Sequence, residues 1–286
     1  MICTAPLACG SECVHAVAAT HSQVVNGESR PTPANGCAEV NDAGSEAASS
    51  DELSELSNLL APLTETMCLP NDLAIQGISA SIVDSLLFEQ AKPLLINELR
   101  RYPREVLRKN LGHIILCANL QFQNVPASGT YFGNDIYISI DTGARGGNMR
   151  ELDRTLHHEL SSVLLRNNTR YFPFHLFVGC NVQGFEYSDN LVGVLNDKSL
   201  LVLYDSAQGK EGFLTRYSRV SLEDDVNVIA EELFTNPQSL FNYAEEHDRV
   251  FCKIRAFVFF LHELDYRFEE TALREKKELY EVSHDD

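Results

Sequence analysis

The sequence predicts an α+β fold with a small mixed sheet and several helices, and three stretches carry that reading. Arg154–Leu165 repeats Leu156, Leu160, Val163 and Leu164 at helical spacing, so one face of that helix lies on a core. Asp135–Ile140 alternates Ile136, Ile138 and Ile140 with Tyr137 and Ser139, which is the period of a half-buried strand. Ser221–Phe234 places Val226, Ile229, Ala230 and Leu233 on a second helical stripe.

Length and charge bound the rest. The 286 residues fit one large domain or two small ones, and 44% hydrophobic residues suffice for a core. A net charge of −18 argues against a nucleic-acid surface, because phosphate binding needs clustered Lys and Arg. No apolar run approaches the roughly 20 residues of a membrane span, so a soluble protein is expected. Met1–Ala19 has no basic start and only a short apolar run, so it makes a poor signal peptide, and the compartment stays open between cytoplasmic and secreted. Pro6-Leu7-Ala8-Cys9 has too few residues before it for a lipoprotein site.

In chain order, residues 1–50 are rich in Ala, Ser, Gly, Asn and Glu without apolar period, so they are expected to be disordered, with one domain over 51–286. Asp51–Leu63 carries Leu53, Leu56, Leu59, Leu60 and Leu63 and reads as a short helix. Ser81–Tyr102 reads as a long helix with Ile82, Leu86, Leu87, Leu94, Leu95 and Leu99 buried and a kink at Pro93. Glu105–Leu111 is a helical turn or two, and Ile114–Phe122 is a strand. Gly129-Thr130-Tyr131 leads to the strand at Asp135–Ile140, and Asp141–Gly147 is a turn. Asn167–Lys210 has little helical period and reads as loops and short strands, one of them Leu200–Tyr204. Asn236-Pro237 stops the Ser221 helix. Leu240–Leu264 reads as one helix with Phe251, Ile254, Val258 and Leu261 inward, and Thr271–Tyr280 as a charged closing helix. Of the eight Cys, four crowd the first 40 residues, and Cys117 and Cys252 read as small core residues.

The Arg154 helix, which Asp153 or Thr155 would cap, carries His157-His158-Glu159 in its first turns. Imidazole and carboxylate are costly to bury unless paired or bound to a metal. In H-E-x-x-H, two His one turn apart bind zinc and the Glu between them activates a water. His158 and Glu159 fill the first two places, but Ser162 stands where the second His belongs. His157 cannot replace it, because adjacent helical residues point about 100° apart.

The segment resembles the zincin metallopeptidases, especially the zinc-binding metallopeptidases of bacterial cell surfaces. The resemblance spans roughly residues 80 to 275. It rests on an order: a helix closed by Tyr102-Pro103, a strand, Gly129-Thr130-Tyr131, a second strand and the His-His-Glu helix. Gly212–Tyr217 and Ser221–Asp225 follow, similar to the family's G-F-x-x-x-Y…S-x-x-E-D segment. The resemblance implies a zincin-like domain and a zinc-dependent hydrolase of peptide bonds. It implies His158 and Glu223 as metal ligands, Glu159 as general base and Tyr217 as donor to an oxyanion.

Each role has a plainer reading. His158 and Glu159 also fit a hydrogen-bonded core helix, and Tyr217 a packing residue. Ser221 and Asp224 also fit a capping box, with acids favoured at a helix start. An acidic residue usually follows the family's ligand by one turn, and here that residue is Asn227. Glu231 and Glu232 read as surface or outer groups. With Ser162 in place, the site either recruits a remote His such as His175 or His247, holds metal weakly, or is empty. The partner is a peptide or protein in every case, and the alternative function is a zincin-fold binding or scaffold protein that does not cut. On geometry alone Ser162→His is expected to tighten metal binding. His262-Glu263 lacks a second His, Cys180 has no spacing signal for a dyad with His158, and Gly143–Gly147 is no phosphate loop.

Overall fold

The structure, a computed structural model, describes residues 50–64, 69–75, 77–140, 151–188 and 201–268. The expected disorder over 1–50 (Ser50 apart), the turn at 141–147, the closing helix at 271–280 and Cys3, Cys9, Cys13, Cys37 and Cys68 lie outside those residues.

Helix α1 (Ser50–Asn58) gives way at once to strand β1 (Leu60–Pro62), which corrects the single helix expected over Asp51–Leu63. The leucine spacing suits either state, and an open strand edge decides it. Leu59 accepts from the Ile114 amide at 2.7 Å, and the Leu63 amide donates to Leu116 at 2.8 Å. After α2 (Asn71–Ile75) and β2 (Ile78–Ser81), α3 runs over Ser85–Leu99. Asp84 caps α3 by accepting from the amide of Leu86 at 2.9 Å, so the expected start at Ser81 moves inward. Its buried side is Phe88, Ala91, Leu95 and Leu99, whereas Ile82, Leu86 and Leu94 are exposed. Leu95 and Leu99 are buried as expected, and the rest of the stripe turns toward Phe88 and Ala91, the small residue that lets the helix approach the core.

After α4 (Arg104–Asn110) come β3 (Ile114–Phe122), β4 (Val125–Pro126), β5 (Gly129–Phe132) and β6 (Asp135–Ser139). Among the described residues these make a six-stranded mixed sheet around β3, in the order β1-β3-β6-β5, with β2 and β4 also paired to β3. β1 and β6 run parallel to β3, and β5 runs antiparallel to β6. Gln123 and Asn124 both have positive φ, as a tight two-residue hairpin requires, and they turn β3 into β4. Strand β6 is buried on both faces rather than half-buried. Ile136 and Ile138 point into the main core with Ile114 and Leu116, while Tyr137 joins Ile115 and Cys117 in a smaller cluster behind the sheet.

The main core is closed by helices. α5 (Leu152–Asn167) lies against β5 and β6 and packs along α8 (Leu222–Thr235). Between them, among the described residues, come α6 (Phe174–Gly179), α7 (Ser206–Glu211) and 3-10 turns that include Thr169–Tyr171 and Tyr217–Arg219. Residues 201–204 form no strand, and Tyr204 takes a left-handed φ of 59°. The helix expected over Leu240–Leu264 is two, α9 (Pro237–Glu245) and α10 (Asp248–Leu264), broken at Glu246 and His247. Cys252 is not a free core residue, since it is disulfide-bonded to Cys180 across 72 residues. Beside that bond the buried Lys253 ammonium contacts Asp225 at 2.5 Å and lies 3.7 Å from the Phe213 ring centre. No helix among the described residues is long and apolar enough to cross a membrane.

Candidate functional site

Two stripes of polar residues face each other where α5 meets α8. Arg154, His158 and Ser162 follow at i, i+4 and i+8 along α5, so they line one face of it. Glu223, Asn227 and Glu231 do the same along α8. The stripes run in opposite directions and pair as rungs. Arg154 meets Glu231 at 3.3 Å. His158 Nδ1 donates to Glu231 Oε1 at 2.5 Å. Asn227 joins His158 to Ser162, and the Glu223 carboxylate accepts from Tyr131 of β5 and shares the single Ser162 hydroxyl proton with Asn227.

The Asn227 amide has one orientation that satisfies both its ends. Its oxygen then accepts from His158 Nε2 at 3.1 Å and from Ser162 Oγ at 2.8 Å. Its two N–H groups face three acceptors, the Glu223 and His158 carbonyl oxygens, each at 3.3 Å, and the Ser161 hydroxyl. In this orientation both ring nitrogens of His158 are donors, which is the pattern of an imidazolium. Electrostatics agree. Burial alone would pull this His down, but the hydrogen bond and charge of Glu231, with Glu159 and Asp224, push it up to about 9.

Glu159 is buried beneath β5. A Cβ on Gly129 would come within 2.7 Å of Glu159 Oε1 and of the Thr155 methyl, so only glycine allows this approach. Burial raises the Glu159 carboxyl to about 7, with Glu223, Asp224 and Glu231 adding to the rise against the pull of His158. Glu223 and Asp224 are also raised, first by burial. Asp224 is occupied otherwise: it accepts from the Ser221 hydroxyl at 2.7 Å and from Tyr217 Oη at 2.5 Å, while its amide donates to Ser221 Oγ. The capping box is therefore real, and of the two acids Glu223 is the one that reaches α5. The Tyr217 ring lies 6.1 Å from the His158 ring, with its hydroxyl spent on Asp224.

His158, Glu159, Glu223 and Tyr217 thus share one site. His157 faces away, His247 packs 4.3 Å from Tyr243, and His175 is exposed on α6. Neither Asp153 nor Thr155 caps α5. The cap position is Glu151, with no side-chain bond, and Asp153 accepts only from the next amide. Two residues of the site carried no role in the sequence, Arg154 and Asn227, and Glu231, expected as a surface or outer group, bonds the far side of the His158 ring. Their signal was the spacing, three polar positions four apart on each of two otherwise buried helices.

The fit of this site to zinc can be tested on its own atoms. A metal-binding His usually gives its other ring N–H to a carboxylate, and Glu231 supplies that support. The metal's own ligands are fewer. A catalytic zinc centre takes three protein ligands and a water. Here the facing atoms are one imidazole nitrogen bonded to an amide, one carboxylate and a neutral hydroxyl. Among the described residues no group of three His, Cys, Asp or Glu could hold a metal ion. The residues do not fit a three-ligand zinc centre.

No protein-family model and no curated protein matches the chain. A solved structure it is similar to is that of a putative zinc-binding metallo-peptidase from Bacteroides caccae, at 15% identity and a TM-score of 0.43. That likeness covers 82% of this chain and 96% of the other.

Proposed function

We propose that this chain is a metallopeptidase-like protein of the zincin class that binds a peptide segment and does not cut it by zinc chemistry. The observation that carries this reading is the Asn227 amide, bonded at once to His158 Nε2 and to Ser162 Oγ where a bound ion would stand. The element order along the sequence, from the Tyr102-Pro103 helix end to Ser221–Asp225, supports the class. Ser162 is not read as a nucleophile instead, because its one hydroxyl proton is held between Asn227 and Glu223 and a His158 pKa raised to about 9 leaves no free base beside it.

The peptide has a place to lie. Among the described residues β5 ends the sheet, and an extended peptide can add to such an edge through main-chain hydrogen bonds. Gly129 sets that strand directly over Glu159, and Tyr131 of the same strand reaches Glu223. The acidic carboxyls around the edge favour a peptide with basic or neutral side chains. The Cys180–Cys252 bond supports an oxidising compartment, where disulfides persist.

A second reading keeps the hydrolase. It is favoured by Glu159, whose carboxyl near 7 suits a general base. On this reading His158 and Glu223 hold a zinc ion weakly and Tyr217 assists. Elemental analysis of the purified protein, with peptide cleavage assayed with and without a chelator, separates the two. Well under one metal per chain, and binding of a fluorescent unstructured peptide that a chelator leaves unchanged, is the expected result. One zinc per chain with chelator-sensitive cleavage would establish the hydrolase.

A further inference from the structure

We infer that Asn227 is the residue that keeps a metal out of this site, and that Ser162 alone does not. The inference deepens the non-catalytic reading and rests on it. The loss of a second His is the departure visible in the motif, and it suggests that restoring an imidazole at position 162 restores the ion. The structure places a further barrier there. The nitrogen that would bind an ion, His158 Nε2, is hydrogen-bonded to the Asn227 oxygen at 3.1 Å. The same oxygen takes the Ser162 hydroxyl at 2.8 Å, so one amide group spans the two α5 positions that a pair of ligands would occupy.

Asn227 is also held from behind. Its nitrogen is fixed by the Glu223 and His158 carbonyls and by Ser161, and the residue is fully buried on α8. It cannot swing aside without leaving those donors and acceptors unpaired inside the protein. Meanwhile Glu231 still holds His158 Nδ1, so the ring already points its other nitrogen at the shared centre. The outer support of a metal site is intact, and the centre is filled by protein.

Four proteins test this: the natural chain, Ser162→His, Ser162→His with Asn227→Ala, and Ser162→His with Asn227→Asp. The last keeps the shape of the residue and replaces the amide by a carboxylate, so it covers the case in which the alanine variant does not fold. Zinc affinity and stoichiometry are read by calorimetry, and cobalt(II) absorption reads a tetrahedral site directly. The natural chain and Ser162→His are expected to bind no stoichiometric zinc. At least one folded double variant is expected to bind one zinc, at least about tenfold tighter than Ser162→His, the scale on which neighbouring groups tune metal sites. Equal one-to-one binding by Ser162→His alone would overturn the role of Asn227 and leave the non-catalytic reading standing. No binding by either double variant, with its thermal transition retained, would also overturn it. One zinc in the natural chain would instead overturn the non-catalytic reading itself.

Discussion

His157 and His158 are neighbours on α5 and live in opposite worlds. The His157 ring is fully buried and stacks 4.8 Å from Phe234 and 5.6 Å from Tyr102. Its Nδ1 accepts from the Tyr102 hydroxyl at 2.6 Å, and its Nε2 donates to Glu98 at 3.2 Å. Burial is the largest influence on it and lowers its pKa, so it is a neutral ring with a fixed tautomer. One residue on, about 100° around the helix, His158 meets carboxylates instead of aromatic faces and holds two protons. The lesson is that a His-His-Glu helix start specifies a position and not a role. The neighbouring helix and sheet decide which ring is a wedge in the core and which is a cation.

The largest expected effect of breaking that contrast is on the neutral side. His157→Ala removes a stacked ring and strands the Tyr102 hydroxyl and Glu98, and should cost about 3 kcal/mol in thermal or denaturant unfolding. His158→Ala should cost less, about 1–2 kcal/mol, because Arg154 still holds Glu231 and the site is partly open to water. A reversed order would show that the polar ladder, and not the aromatic stack, secures α5. Gly129→Ala tests the strand above the site. A methyl group meeting Glu159 and Thr155 must push β5 away, at about 1–3 kcal/mol and with loss of peptide binding. Unchanged stability and binding would remove Glu159 from beneath that strand.

The two rings also predict opposite responses to pH. The pKa of His158 lies above its ordinary value, so its stabilisation is whole below about pH 6.5 and is lost as pH rises through about 9. His157 lies below its ordinary value, so its contribution is whole above about 6.5 and is lost as pH falls. In Glu231→Gln the alkaline loss should move down towards neutrality while the acid loss stays in place. Unfolding measured from pH 5 to 10 in both proteins checks this, and an unmoved alkaline limb would exclude the His158–Glu231 pair as its source.

Much of this was legible before any coordinates. Ile114–Phe122 matches β3, and the apolar stripe of Arg154–Leu165 is buried on α5. Ser221 caps α8 with Asp224 as its partner. Sequence period works there because long apolar repeats have one cheap way to be buried. It failed at Leu60–Pro62, where a strand edge outweighed helical spacing, and at His247, where no proline or glycine announces the break in the chain. At the candidate site it named His158, Glu159, Glu223 and Tyr217 from their motif positions, and the fold brings these residues together. It gave Asn227 no role, because a single amide acquires one only when two helices bring a ring and a hydroxyl to it.

The central claim is that His158 is a cation bonded through both ring nitrogens, and nitrogen NMR of the imidazole observes that directly. In protein labelled at histidine nitrogen, at pH 7.5, with a His158→Ala variant to assign the signal, His158 should show two protonated ring nitrogens. Those shifts should hold until the pH approaches about 9. A His158 signal with one bare nitrogen at pH 7.5 would contradict the account, because that nitrogen would be free to bind an ion and the Asn227 hydrogen bond would not be there.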